Sequence, residues 1–358
     1  MKILIIKIAY IGDVLLTTPL FYNLKQYYGE SCTLDILVNE GTQGILSMQY
    51  LNAIHTLKRS QNKLQRIKDD LKLLRTIKKA KYDMVISLTA GDRSAFLAFW
   101  SGAKIRVGFP PKAFWAKNIY TLKLTQKYQH TLENNLEALR ILNIPILSKK
   151  VLPKISQETK KLHNLPQTFI HLHLFSRCFY KCLNDSFCAK IIDFITHHYS
   201  TNCILTAAND PKESKKLQNI LKLCQSKPLF FDGTLTLAEV SLLNSKALAF
   251  IGVDTGIMHL SAANDTPTFA FFGPSYVKVW GPWDNALESS TYTNSNGIQQ
   301  MGKHYVYQED FQCVPCGKEG CNDSQKSDCL LNKLNETKAL QSLKGFLDPL
   351  FQSKLNNK

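Results

Sequence analysis

Short, unbroken apolar runs alternate along the chain with segments whose apolar positions recur every three or four residues. "KILIIKI" (2–8) is apolar without polar alternation, the pattern of a parallel strand covered on both faces. "TTPLFYNLKQYYG" (17–29) reads as a helix, "TLDILVN" (33–39) and "YDMVISLT" (82–89) as strands, and "HTLENNLEALRILN" (130–143) as a helix. Residues 152–167, "LPKISQETKKLHNLPQ", are polar and punctuated by proline, which predicts a linker. The alternation then restarts. "TFIHLHLF", "NCILTAA", "LFFDG", "ALAFIGV" and "TPTFAFFG" read as strands, separated by helical "SFCAKIIDFITHHY", "PKESKKLQNILKLC", "TLAEVSLLNSK" and "GIMHLSAAN". A βαβα series in each half predicts an α/β protein of two doubly wound parallel sheets facing one another across a cleft. The expected boundaries are 1–160, 161–333 and a C-terminal helix and tail, 334–358.

Residues 55–83 carry Leu64, Ile67, Leu71, Leu74 and Ile77 at helical spacing among many lysines and arginines. This predicts an amphipathic helix with a basic outer face, either solvated or resting on anionic lipid. The start of the chain has a signal-like flavour, but Lys7 and Gly12-Asp13 interrupt it and no small-residue cleavage site follows. No apolar run approaches the ~18 residues of a transmembrane helix.

Composition adds one fact. The chain has 44 Lys and Arg against 28 Asp and Glu, a net charge of +16. An excess of this size either favours anionic partners or simply decorates a solvated surface. Ten cysteines are present. Six are scattered, as free thiols are in a reducing compartment. Four cluster in "CVPCGKEGCNDSQKSDC" as Cys313, Cys316, Cys321 and Cys329. The first pair has zinc-like spacing and the second does not, so structural zinc, disulfides and free thiols all remain open.

Ligands of open α/β sheets bind beyond the carboxyl ends of the strands, so the residues there carry the chemistry. After the first strand, Asp13 either caps the next helix or presents a carboxylate as a general base. No G-x-G-x-x-G or Walker pattern accompanies it. After "HLHLF", Ser176, Arg177 and Lys181 offer a hydroxyl and two cations to a diphosphate. After "TAAN", Asp210 and Glu213 suit either a ribose diol or a helix cap with Pro211 behind it. "FIGVDTGIMHLSAA" (250–263) ends a buried strand with Asp254 placed to cap a helix, and Thr255 and Gly256 in its first turn. His259 lies one turn on. A phosphate fits the positive end of such a helix, and packing alone is a sufficient role for His259.

With these residues assembled, the chain resembles glycosyltransferase family 9, the heptosyltransferases of lipopolysaccharide inner-core synthesis. The matching pieces are "IGDVLLTTP", "SRCFYKC" and "FIGVDTGIMHLSAANDTPTFAFFGPS", in order over almost the whole chain. "LTAGDR" (88–93), "VWGPWDN" and the cysteine cluster look most like the branch that adds the third, side-branch heptose. The resemblance implies a GT-B fold of two Rossmann-like domains, the N-terminal one binding acceptor and the C-terminal one, with its Cys-rich loop 313–329, binding nucleotide sugar. It implies inverting, metal-independent transfer of L-glycero-D-manno-heptose from ADP-heptose to the lipopolysaccharide inner core, with no catalytic cofactor. The spacing of Cys313, Cys316, Cys321 and Cys329 separately leaves a structural zinc open. Asp13 would be the base, and Asp92 and Arg93 would bind acceptor. Ser176, Lys181, Asp210, Asp254, Thr255, Gly256 and His259 would bind donor. The enzyme would be cytoplasmic and peripheral on the inner face of the inner membrane. One departure stands out. The family commonly has His-Pro and a small or hydroxylated residue before the Ser-Arg pair, whereas here His173, Leu174 and bulky Phe175 precede Ser176. A GT-B enzyme using or epimerising another nucleotide sugar is the nearest alternative. A basic nucleic-acid-binding protein is a remote one, because no basic patch interleaved with aromatics is evident.

Overall fold

The apolar run at the start of the chain becomes the central strand of a parallel sheet. β1 (Lys2–Lys7) buries Ile3, Leu4, Ile5 and Ile6 completely, because helices cover both faces of the sheet it belongs to. The computed structural model describes residues 1–58, 62–111, 113 and 118–356. These form two compact units, Met1–Lys154 and Ile155–Lys358.

In the first unit the elements run β1, α1 (Ile11–Leu15), α2 (Thr18–Tyr28), β2 (Thr33–Asn39), β3 (Ala53–Leu57), α3 (Lys63–Ala80), β4 (Met84–Ser87), α4 (Asp92–Trp100), β5 (Ile105–Gly108), β6 (Leu122–Lys123) and α5 (Thr131–Ile141). The sheet order is β3-β2-β1-β4-β5-β6, with Ile5 in register with Ile36 on one side and Ile86 on the other. Every pairing in it is parallel. The order reverses between β1 and β4.

The second unit runs β7 (Phe169–His173), α6 (Asp185–Tyr199), β8 (Asn202–Ala207), α7 (Pro211–Leu223), β9 (Leu229–Asp232), α8 (Leu237–Lys246), β10 (Ala249–Val253), α9 (Gly256–Ala263), β11 (Thr268–Phe272), α10 (Val277–Trp280), β12 (Gln299–Met301), β13 (His304–Gln308), α11 (Asp328–Leu331) and α12 (Glu336–Asn356). Its order is β12-β13-β11-β10-β7-β8-β9, parallel except for the β12–β13 hairpin. The reversal falls between β7 and β10, where Ile251 is in register with Leu172. The C-terminal helix α12 is part of this unit: Ala339, Leu343, Phe346 and Leu347 are buried in its core with Phe187, Phe269 and Phe271.

The stretch 55–83 differs from its expected form. His55, Thr56 and Leu57 belong to β3, and Arg59, Ser60 and Gln61 lie outside the described residues. The helix begins after Asn62, whose side chain accepts hydrogen bonds from the backbone N–H groups of Leu64 and Gln65. It ends on Lys81 in the left-handed region. Its apolar residues split into two stripes. Ile77 is fully buried and Leu73 and Leu74 pack beside it on the core of Leu4, Leu37, Val85 and Leu97. Leu64, Ile67 and Leu71 face out, at 72%, 46% and 46% exposure. A helix advances about 100° per residue, so positions 64, 67 and 71 stay together on the side opposite 73 and 77.

This division sets a stability test. Ile77→Ala should cost about 2–5 kcal/mol in urea unfolding, as for other buried large-to-small changes, whereas Leu64→Ala should stay within about 0.5 kcal/mol. Equal costs would mean that the two stripes have been assigned wrongly.

Candidate active site

In the second unit the loops after β7 and β10 leave the sheet side by side, at the reversal of strand order. After β7, Phe175 is fully buried in the core and meets His173 edge-to-face with ring centroids 5.8 Å apart. The bulky residue therefore points away from the loop surface and does not fill the ligand side. Ser176 follows, buried, with its Oγ accepting a hydrogen bond from the Cys178 N–H at 3.2 Å. This bond closes the turn that leads into a single helical turn, Phe179–Lys181. Lys181 comes out of that turn with its Nζ 2.6 Å from Asp254 Oδ2. The pair joins the two loops at the reversal.

Asp254 was expected to cap α9, and it does not: its carboxylate is turned to Lys181. Thr255 occupies the N-cap position, extended, and among the described residues no side chain caps the first turn of the helix. The N–H groups of that turn therefore keep their positive end for a ligand. Burial marks the opening. Ile251 through Asp254 and Ile257 through Ala263 are buried, and only Thr255 and Gly256 between them are half-exposed. His259 is 4% exposed and meets Trp280 edge-on at 6.5 Å, the setting of a packed residue.

Asp210 caps α7. Its Oδ1 accepts from the N–H groups of Lys212 and Glu213 at 2.9 and 3.1 Å, with Pro211 in the first turn. Glu213 turns back to accept from the Ala208 N–H at 2.8 Å, fixing the loop before Asp210, and burial raises its carboxyl above the usual range. The sequence motif is thus a capping device, and Asp210 Oδ2 accepts no hydrogen bond among the described residues.

In the first unit the corresponding reversal lies between β1 and β4. Asp13 sits inside the first turn of α1, while Tyr10 holds the N-cap position, so Asp13 is not the cap. Its partner is Lys7, at 3.7 Å. Lys7 ends β1 and is buried. Its Nζ also donates to the Leu88 carbonyl at 3.2 Å and to Asn135 Oδ1 at 3.3 Å. Burial pulls the Lys7 ammonium below its ordinary range, and Asp13 opposes that shift. The neighbouring β4–α4 loop is tied to the β1 loop: Thr89 Oγ1 accepts from the Ile8 N–H at 2.9 Å. Gly91, at φ +137°, makes the turn that starts α4. Asp92 is exposed in the first turn. Arg93 points the other way, its guanidinium 2.9 Å from Asp70 of α3.

The four clustered cysteines are free thiols. Cys329 is buried on α11. Burial first, and the nearness of Cys321, Cys316 and Cys313 second, push its thiol up to about 12. Cys313 and Cys321 are exposed. Among the described residues no three His, Cys, Asp or Glu side chains are grouped to hold a metal ion. Structural zinc, one of the three readings the sequence leaves open, therefore has no ligand set among the described residues. Disulfides are likewise not formed.

Two supporting residues escaped the sequence reading. In sequence Lys7 is a charge inside an apolar run, which reads as a break in a signal-like pattern and not as a buried partner for Asp13. Gln308, at the end of β13, donates to the carbonyls of Gly273 and Ser275 at 2.6 and 2.9 Å and holds the loop after β11. No local pattern announces it.

The profile of glycosyltransferase family 9 (heptosyltransferase) matches residues 71–308. The chain is 27% identical over 290 residues to lipopolysaccharide heptosyltransferase 3 of Escherichia coli, which covers 77% of this chain and 84% of that protein. The crystal structure of a glycosyl transferase family 9 protein from Veillonella parvula matches with a TM-score of 0.77 at 18% identity, over 98% of this chain and 97% of that one. Escherichia coli ADP-heptose lps heptosyltransferase II matches with a TM-score of 0.73 at 17% identity, over 99% and 100%. Two doubly wound units of this kind are the GT-B fold. Since the family profile spans well over half of the sequence, the chain belongs to glycosyltransferase family 9, the heptosyltransferases.

Proposed function

We propose that the chain transfers heptose from ADP-heptose to the inner core of lipopolysaccharide, with donor held by the second unit and acceptor by the first. The observation that carries the donor assignment is the Lys181–Asp254 pair beside the uncapped N-terminus of α9. ADP is a leaving group whose negative charge grows as the glycosidic bond breaks. A cation fixed at a helix N-terminus offers that charge a partner already in position. Asp254 holds Lys181 there, Thr255 adds a hydroxyl, and Gly256 leaves the approach open. Ser176 shapes the turn that delivers Lys181. Asp210, with Oδ1 committed to its helix, has Oδ2 left for a ribose hydroxyl. His259 shapes the pocket wall through packing. The similarity to proteins described as lipopolysaccharide heptosyltransferase 3 and ADP-heptose lps heptosyltransferase II supports ADP-heptose as donor and lipopolysaccharide as acceptor.

Asp13 is the general base. The acceptor hydroxyl oxygen attacks the anomeric carbon, the bond to ADP breaks with inversion, and the hydroxyl proton passes to the Asp13 carboxylate. Lys7, buried beside Asp13, holds that carboxylate in place. Asp92 flanks the acceptor side, and Arg93 meets acidic acceptor groups only by leaving Asp70. The enzyme acts at the cytoplasmic face of the inner membrane as a peripheral protein. Among the described residues no helix is long and apolar enough to cross a membrane.

Three measurements test this reading. Asp13→Ala should lower kcat by about 10²–10⁴-fold while ADP affinity stays within about twofold. Retained turnover would remove Asp13 from the base role. Lys181→Ala and Asp254→Asn should both weaken the donor, raising its KM and lowering kcat by about 10²-fold as for other lost oxyanion donors. Donor competition by mass detection should show transfer from ADP-heptose and none from UDP- or GDP-sugars onto truncated core glycolipid. The same assay should run undiminished in EDTA, since Lys181 and the helix end supply the positive charge.

A further inference from the structure

The outer face of α3 combines exposed apolar and cationic side chains. Leu64, Ile67 and Leu71 form an exposed apolar stripe along it. Lys68, Lys72, Arg75 and Lys79 run beside that stripe on the same side of the helix, all exposed. Among the described residues none of the four is ion-paired. The helix does contain acids, but they are turned inward: Asp69 lies 3.9 Å from Lys58, and Asp70 pairs with Arg93. The outward face therefore combines apolar and cationic groups without a compensating carboxylate.

The neighbouring helix extends the surface. α4 exposes Phe96, Phe99 and Trp100, at 40%, 60% and 41%. Phe96 and Trp100 stack with centroids 6.0 Å apart, and the indole N–H of Trp100 donates to the Leu74 carbonyl of α3 at 3.0 Å. The tryptophan is thereby fixed against α3 with part of its ring open to solvent. Leucines, an isoleucine and aromatic rings left in water over two adjacent helices are costly unless something covers them.

We infer that this α3–α4 face docks on an anionic phospholipid bilayer. An amphipathic helix lying in the membrane interface has this composition: apolar and aromatic side chains entering the headgroup region, and lysines and arginines beside them meeting lipid phosphates. Trp100 suits the boundary, with one polar edge and an apolar body. Charge excludes the main alternatives. A second copy of the same face would set four unpaired cations against four like charges. A nucleic acid would meet the cations but leave Leu64, Ile67 and Leu71 against its backbone. The inference deepens the peripheral placement proposed above and rests on it. It names the surface that makes the contact.

The test uses the full chain and vesicles of phosphatidylglycerol with phosphatidylethanolamine, against vesicles of phosphatidylcholine alone. The wild type should co-sediment with the anionic vesicles, more weakly as salt rises, and leave the neutral ones. L64E/I67E/L71E, and separately K68E/K72E/R75E/K79E, should each lower that partition by at least about tenfold. Both should keep wild-type circular dichroism and wild-type transfer to a water-soluble truncated acceptor. A variant that binds vesicles as the wild type does would overturn the inference, as would wild-type binding indifferent to lipid charge. So would a duplex oligonucleotide bound as tightly as the anionic vesicles, or an apolar-stripe variant that alters only self-association. Loss of soluble-acceptor transfer in the wild type would instead refute the proposed reaction, so the two failures are told apart.

Discussion

A parallel sheet sends every strand out at the same edge, and a doubly wound one reverses its strand order once. At that reversal two loops diverge toward opposite faces and leave a crevice that helices do not fill. Both units obey this constraint, between β1 and β4 in one and between β7 and β10 in the other. Asp13 and Asp92 follow from it in the first unit, and Lys181 and Asp254 in the second. Lys181 and Asp254 are distant in sequence and meet because neighbouring strands end side by side.

The same electrostatic device appears at both reversals. In each unit a lysine from the first strand or its loop is matched to an aspartate at a helix start: Lys7 with Asp13, and Lys181 with Asp254. The two differ in solvation. Lys7 is buried and braced by a carbonyl and an amide, with Asp13 at salt-bridge rather than hydrogen-bond distance. Asp13 itself stays partly open to solvent. Lys181 is more open and in direct contact with a buried aspartate. Both pairs lie at a reversal of strand order, and the depth of the lysine is what separates them.

Surface chemistry is divided in a related way. Helix α3 gives its acids to ion pairs on the inner side, one of them with Arg93, and keeps its cations outward. Arg93 thus links the helix that carries the exposed basic face to the loop that bears Asp92. An acidic acceptor approaching that loop and a charged surface meeting α3 would act on one connected stretch of the first unit.

The sequence by itself determined the long apolar strands, most of the helices and the residues at those strand ends. Unalternated runs such as "KILIIKI" and "TFAFF" have no other economical fold than buried parallel strands, and Asp, Thr and Gly after them are local signals. What needed tertiary structure was every decision between two local uses of one residue. Asp254 and Asp210 are equally good cap candidates in sequence. Lys181 draws the first away from its helix, while among the described residues no cation is paired with the second. Phe175 turned inward because a core pocket beside His173 receives it. Short β5, β6 and β12 lack a periodicity long enough to read, and are strands because a neighbour supplies their hydrogen bonds. In α3 the 3.6-residue repeat is satisfied by two opposite stripes, and only the position of the sheet decides that Ile77 goes under it while Leu71 stays in water. Sequence periodicity gives the angle between side chains. Which angle faces the core is a property of the packing partner, and it is not written in the helix.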